Sequence, residues 1–151
     1  MAVFQKTFRI STRGRCDILD ITGQVSRIVE ESRLKQGIAS VSGRGSTLGI
    51  TTLEYEAGAV SDLARALEKI APMNHDYAHN AHWGDDNGYA HLRSALIGTS
   101  QSFSVRDGAL DIGTWQQIVF CDFYSRPRDR EVTVTEVGDK VPAGGMFCRG
   151  G

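Results

Sequence analysis

The sequence predicts a single α+β domain with a largely antiparallel or mixed sheet and two main helices, and three observations predict it. A chain of 151 residues has the length of one domain, and such a domain buries roughly 68–70% of its unfolded surface, so it needs no disulfide or structural metal to hold a core. Segments with two-residue alternation dominate the C-terminal half and do not alternate with helices, which argues against a doubly wound sheet. Only two segments carry apolar residues at clear helical spacing.

Taken in order, Phe4, Phe8 and Ile10 alternate with Gln5, Thr7 and Arg9, the pattern of a half-buried strand. Arg13-Gly14 interrupts it, and a second strand runs from Cys16 to Ile21. Thr22 is placed to cap a helix whose apolar face is Val25, Ile28, Val29 and Leu34, with Gly37 as its stop. Ile38 to Val41 and Leu48 to Tyr55 read as strands separated by the turn Ser42-Gly43-Arg44-Gly45. Val60, Leu63, Ala64, Leu67 and Ile70 form the second helical stripe, ended by Pro72. From Met73 to Tyr89 no period survives, and an irregular segment of that length inside a domain is more often functional than a linker. A short helix restarts over His91 to Leu96, followed by strands over Ser102 to Arg106, Trp115 to Tyr124 and Glu131 to Val137, with a turn at Asp107-Gly108. The domain spans 1–151, its tail from about residue 139 being peripheral and the stretch from Gly144, GGMFCRGG, frayed.

Composition excludes several classes. A net charge of −1 gives no electrostatic reason to bind nucleic acid or an anionic membrane. No apolar run approaches the 20 or so residues of a membrane span, and MAVFQKTFRI has no apolar leader core or cleavage site. Cys16, Cys121 and Cys148 are odd in number and form no CxxC pair, so reduced thiols in a cytoplasmic protein are expected.

The chemistry concentrates in one place. All four histidines, His75, His79, His82 and His91, fall in the irregular segment or at its end, among Asp76, Asp85, Asp86 and Asn87. Imidazoles carry protons near neutral pH and bind metals, so this segment is either a functional site or a polar surface loop whose histidines are merely solvated. The spacing matches no common zinc motif and no cysteines stand nearby, so an open, catalytic type of site fits better than a closed structural one. Elsewhere, Gly43 to Thr47 is either an anion-binding nest or a plain turn. Arg126-Pro127-Arg128-Asp129-Arg130 is either a phosphate fork or a solvated turn. Trp115-Gln116-Gln117 either lines a pocket or belongs to the core.

Three long segments, GSTLGITTLEYE, YAHNAHWGDDNGYAHLRSALIG and DGALDIGTWQQIVFCDFYSRPRDREVTV, together resemble the YjbQ-like family, also called the secondary thiamine-phosphate synthase family, over roughly Phe4 to Gly138. The resemblance implies a small α+β domain assembled as a homotrimer, with sites near subunit boundaries. It also implies a divalent metal, Zn or Mg, held by His79, His91 and Asp85. His79, Asp85, Asn87, His91 and Glu54 would be the catalytic group, and Ser46, Thr47, Gln116, Arg128 and Arg130 would bind a small phosphorylated substrate. The activity implied joins a pyrimidine-methyl diphosphate to a thiazole phosphate. A metal-dependent hydrolase of a small phosphorylated or ester substrate, and a non-enzymatic ligand- or metal-binding trimer, are the alternatives. The chain departs from the family at Gly45, where many members carry a histidine, leaving His75 and His82 as available substitutes.

Overall fold

The computed structural model describes residues 1–140, and the tail from Gly144 with Cys148 lies outside them. Eight strands and four helices follow one another as β1 (Ala2–Thr12), β2 (Asp17–Asp20), α1 (Thr22–Ser32), β3 (Gln36–Gly43), β4 (Leu48–Leu53), α2 (Ala57–Ile70), α3 (Ala78–Trp83), α4 (Gly88–Ile97), β5 (Ser100–Arg106), β6 (Ala109–Leu110), β7 (Gln117–Asp122) and β8 (Arg128–Asp139). They form a five-stranded sheet in the order β1-β8-β3-β5-β6 and a three-stranded sheet in the order β2-β7-β4. Every pairing is antiparallel, so the predicted α+β class with an antiparallel sheet is what the chain adopts.

β7 explains the layering. Its apolar run IVFC is buried on both faces, and alternation sends successive side chains to opposite sides. Ile118 and Phe120 join Val25, Ile28 and Val29 of α1 and Val41, Val132 and Val134 of the large sheet in one core. Val119 and Cys121 point the other way, into a second core with Leu67 of α2 and Tyr89 and Ala90 of α4. The small sheet is therefore the middle layer, and α2 and α4 cover its outer face.

Local chemistry moved several predicted boundaries. α1 does begin at Thr22, but the oxygen that serves its start is Asp20 Oδ1, which accepts from the Thr22 N–H at 2.9 Å and hydroxyl at 2.6 Å. The Thr22 hydroxyl itself accepts from the Ile118 N–H at 2.9 Å, tying the helix to β7. The helix stops at Arg33, well before Gly37, because the Ser32 hydroxyl donates to Val29 O and accepts from the Leu34 N–H, giving the backbone a local alternative. Gly37 instead lies in β3 opposite Gly138, where a Cβ would come within 2.2 Å of Val137 O; only glycine permits that approach.

The two main helices are joined by two shorter ones, α3 and α4, in the segment expected to be irregular or only briefly helical. α3 has no buried residue, and α4 buries Gly88, Tyr89, Ala90, Arg93 and Ser94, so neither shows an apolar stripe. Arg93 is buried because its guanidinium is fully employed. Its Nε donates to Ala71 O at 2.9 Å, its Nη2 pairs with Glu68 at 2.5 Å, and the group lies 5.0 Å from the Tyr89 ring centre.

Candidate functional site

α3 and α4 exist to bring histidines together. α3 carries His79 and ends at Gly84, whose left-handed backbone reverses the chain. The Asp85-Asp86-Asn87 link follows, and Asn80 Oδ1 accepts from the Gly88 N–H at 2.8 Å, fixing the start of α4 against α3. His91, on the first turns of α4, then stacks on His79 with ring centres 4.4 Å apart and planes tilted by 43°. His79 Nε2 stands 3.4 Å from Asp85 Oδ2, and these two side chains are 31% and 36% exposed, so the pair is reachable from solvent.

Asn87 is the third member: its amide nitrogen, turned toward the cluster, donates to His79 Nε2 at 3.0 Å and to Asp85 at 3.2 and 3.3 Å.

Burial first, and the neighbouring His79 ring second, hold the His91 imidazole below its ordinary value, with Asp85 and the Ser46 backbone opposing them. The shift favours the neutral, proton-accepting form of His91. His91 borders a cleft of about 340 Å³ with Gly45, Ser46, Ser94, Ala95, Gly98 and Thr99. Asp85 and Asn87 border a second, polar cleft of about 500 Å³, closed on its far side by Tyr124, Ser125 and Arg126.

Of the sequence-predicted residues, His79, Asp85, Asn87, His91 and Ser46 come together. Thr47 and Arg130 are a correction: expected to bind phosphate, they are turned inward. Arg130 is 6% exposed and grips the fully buried Asp122 with two bonds, Nε to Oδ2 at 2.8 Å and Nη2 to Oδ1 at 2.7 Å. Its Nη2 also donates to Thr47 Oγ1 at 2.9 Å, and the Thr12 hydroxyl donates to Asp122 at 2.5 Å. The reason is that β8 begins at Arg128, so Arg130 sits in a strand and not in the turn. Arg128 stacks over Tyr124 at 4.2 Å, which leaves Arg126 as the guanidinium bordering the Asp85 cleft. Nothing in the arginine run singled it out.

Glu54 and Gln116 lie elsewhere. They line a cleft with Trp115 beyond the C-terminal end of β4, whereas Ser46 precedes its start. β4 alone spans roughly 17 Å, so one chain does not unite Glu54 with the histidines. Trp115, read as pocket or core, is 70% exposed and belongs to this cleft. His75 and His82 are occupied in edge-on contacts with Tyr77 and Trp83.

Gly45 now has a physical account. A Cβ there would come within 3.0 Å of Leu48 Cδ2 and 3.2 Å of Arg130 Nη1, on a backbone with φ of 156°. The turn is fitted to the buried Arg130 and not to an imidazole. Among the described residues, no group of three or more His, Cys, Asp or Glu side chains is placed to hold a metal ion.

Fold and site together define a small antiparallel α+β protein with a half-exposed histidine–carboxylate cluster at a helix–helix corner. Residues 6–139 match the family described as UPF0047 protein YjbQ-like, and the chain belongs to that family. It is 38% identical over 138 residues to a UPF0047 protein of Methanothermobacter thermautotrophicus, covering 91% of this chain and 94% of that one. It is 32% identical over 134 residues to UPF0047 protein YugU of Bacillus subtilis, covering 88% and 98%. Among solved structures, a YbjQ-like protein of unknown function from Sulfolobus solfataricus superposes with a TM-score of 0.87 at 33% identity, covering 91% of this chain and 99% of that one.

Proposed function

We propose that the His79–Asp85–Asn87–His91 cluster is the proton-handling centre of an enzyme acting on a small phosphorylated substrate. The observation that supports it is the contact of two imidazoles, one of them facing a carboxylate, with ring centres 4.4 Å apart and open to two clefts. Arg126 supplies the positive charge for phosphate oxygens. In the form the family resemblance suggests, a thiazole-phosphate ring nitrogen attacks the methylene carbon of a pyrimidine-methyl diphosphate. The carbon–oxygen bond breaks, the diphosphate leaves with the electron pair, and thiamine phosphate results. The histidine–carboxylate cluster beside the clefts would assist departure of the diphosphate oxygen.

A divalent ion, Zn or Mg, would be held, as the resemblance implies, by His79, His91 and Asp85 and would supply charge neutralisation of the diphosphate. Assembly as a homotrimer would let Glu54 and Gln116 of one copy reach the histidine face of another. Val3, Val137 and Ile38, exposed and paired side by side across three strands, form an apolar row that assembly would cover. We place the protein in the cytoplasm, a reading supported by the free thiols of Cys16 and Cys121, the latter buried and pushed up to about 12. No helix among the described residues is long and apolar enough to cross a membrane.

One observation favours a second reading. Attack by a ring nitrogen releases no proton, whereas attack by water does, and the neutral His91 is suited to accept it; the reaction would then be hydrolysis. The test is to incubate purified protein with both substrates, with Mg²⁺ or Zn²⁺, and follow thiamine phosphate and free phosphate against a His91→Ala control. Thiamine phosphate above the control supports the transferase, and phosphate release alone supports the hydrolase. Ligand binding without turnover of either kind overturns the enzymatic reading.

A further inference from the structure

We infer that the cleft between the β1–β2 turn and the start of α2 seats a small organic carboxylate with an apolar body. None of its lining residues belongs to the histidine cluster or to the groups read above as catalytic or substrate-binding, so this site goes beyond the proposed function.

The turn that builds the cleft is strained. Gly14, Arg15 and Cys16 lie in succession in the left-handed region, with φ of 73°, 53° and 66°, and two of them are not glycine. Bonds to a distant segment hold them there: the Arg15 N–H donates to Tyr124 O at 2.7 Å, the Cys16 N–H to Asp122 O at 2.9 Å, and Arg15 Nε to Ser125 O at 3.3 Å. The turn folds Arg13 back onto Asp17, whose carboxylate accepts from the Arg13 N–H at 2.8 Å and from its Nη2 at 3.0 Å. The Asp17 side chain is 4% exposed, whereas that of Arg13 is 87% exposed. A pair made for stability alone would bury both charges; this one holds a guanidinium at the surface in one orientation. Such preorganisation favours a ligand, since less freedom is lost when it binds.

The cleft holds about 450 Å³, within the range of small-molecule sites. Tyr55 is one of its walls, fixed because its hydroxyl donates to Ile18 O at 2.9 Å, and Ile18 and Val60 add apolar surface. Arg15 makes no ion pair with any described residue. Two guanidiniums against the one carboxylate of Asp17 leave the lining a single positive charge, which suits a monoanion. A planar carboxylate meets a guanidinium fork with both oxygens, while a hydrocarbon body covers Tyr55, Ile18 and Val60. Inorganic phosphate would leave those walls bare, and a neutral molecule would not engage the charge.

The test follows the Arg13 Nε–H and Gly14 backbone N–H signals in ¹⁵N-labelled full-length protein. Titration with benzoate is expected to shift both saturably. Benzamide, a neutral ring of the same shape, and inorganic phosphate, an anion without the ring, are each expected to bind about threefold to tenfold more weakly. Arg13→Gln, read on the Gly14 signal, should weaken benzoate about threefold to fivefold and remove its advantage over benzamide. Arg13→Lys leaves Asp17 a cationic partner and so keeps the fold, yet should also weaken benzoate, because an ammonium does not grip both oxygens. Equal affinity for benzoate and benzamide, phosphate bound as tightly as benzoate, benzoate affinity unchanged in both variants, or signals that ignore benzoate because a second copy of the chain covers the cleft would overturn the inference.

Discussion

The Asp122–Arg130 pair and the His79–Asp85–His91 cluster share one turn, Thr47 completing the first and Ser46 flanking the second, yet they are built to opposite ends. In the first, every charge is buried and answered. Burial alone would raise the Asp122 carboxyl, but bonds from Arg130, Thr12 and the Tyr124 N–H outweigh it and hold it below its ordinary value. In the second, the groups are half-exposed and two imidazoles crowd each other beside a carboxylate. A saturated network fixes geometry and has nothing left to give a ligand, whereas an unsaturated one can take up a proton, an ion or a substrate.

The largest expected effect breaks the sealed side. Asp122→Ala leaves the Arg130 guanidinium buried and unpaired and should cost about 3–5 kcal/mol of stability, read from urea unfolding. Because the Asp122 carboxyl is depressed in the folded state, its contribution is present above the unfolded carboxyl value of about 3.9 and is lost as pH falls through the folded one. The converse change on the open side should spare the fold: His91→Ala is expected to lower kcat by about 10²–10⁴-fold. Its Tm should stay within about 2 °C of the parent, as measured by calorimetry.

A finer test separates the two imidazoles. His91 must be neutral to accept a proton, and its value lies below 6.5, so the acid limb of kcat/KM should fall below that pH. His79→Asn removes the repelling ring and should move the limb upward, while Asp85→Asn removes the attracting carboxylate and should move it downward. The smallest effect concerns a third polar group that neither cluster uses. Glu136 is fully buried on β8 with both carboxylate oxygens unpartnered, and burial raises its carboxyl. Its folded-state value being raised, stability is full below the unfolded value and is lost as pH rises through the folded one. Glu136→Gln should therefore raise the unfolding free energy, read from urea titrations, by more at pH 8 than at pH 5, the difference being roughly 1 kcal/mol.

Sequence and structure agree most closely where one period governs. The alternation of Phe4, Phe8 and Ile10 and the stripe from Val60 to Ile70 became β1 and α2, because burying one face of a strand or helix writes its own spacing into the chain. The clustering of histidines between His75 and His91 located the candidate site, since those residue types are rarely concentrated without use. What the sequence could not convey is which polar groups face inward. Arg130 and Arg126 are four residues apart in one run, and Arg130 is sealed only because Asp122, Thr12 and Thr47 arrive from three other segments to meet it. α3 escaped notice because it buries nothing, and α4 was legible only over His91 to Leu96 because its buried first turn is mostly small or polar, with Arg93 made tolerable by Ala71 O and Glu68 from elsewhere in the fold. Likewise, β4 alone sets Glu54 apart from His91. Local spacing determined the elements and the neighbourhood of the chemistry; pairing across distant segments decided which side chains are structural and which stand open, because a buried charge is satisfied only by groups the fold brings to it.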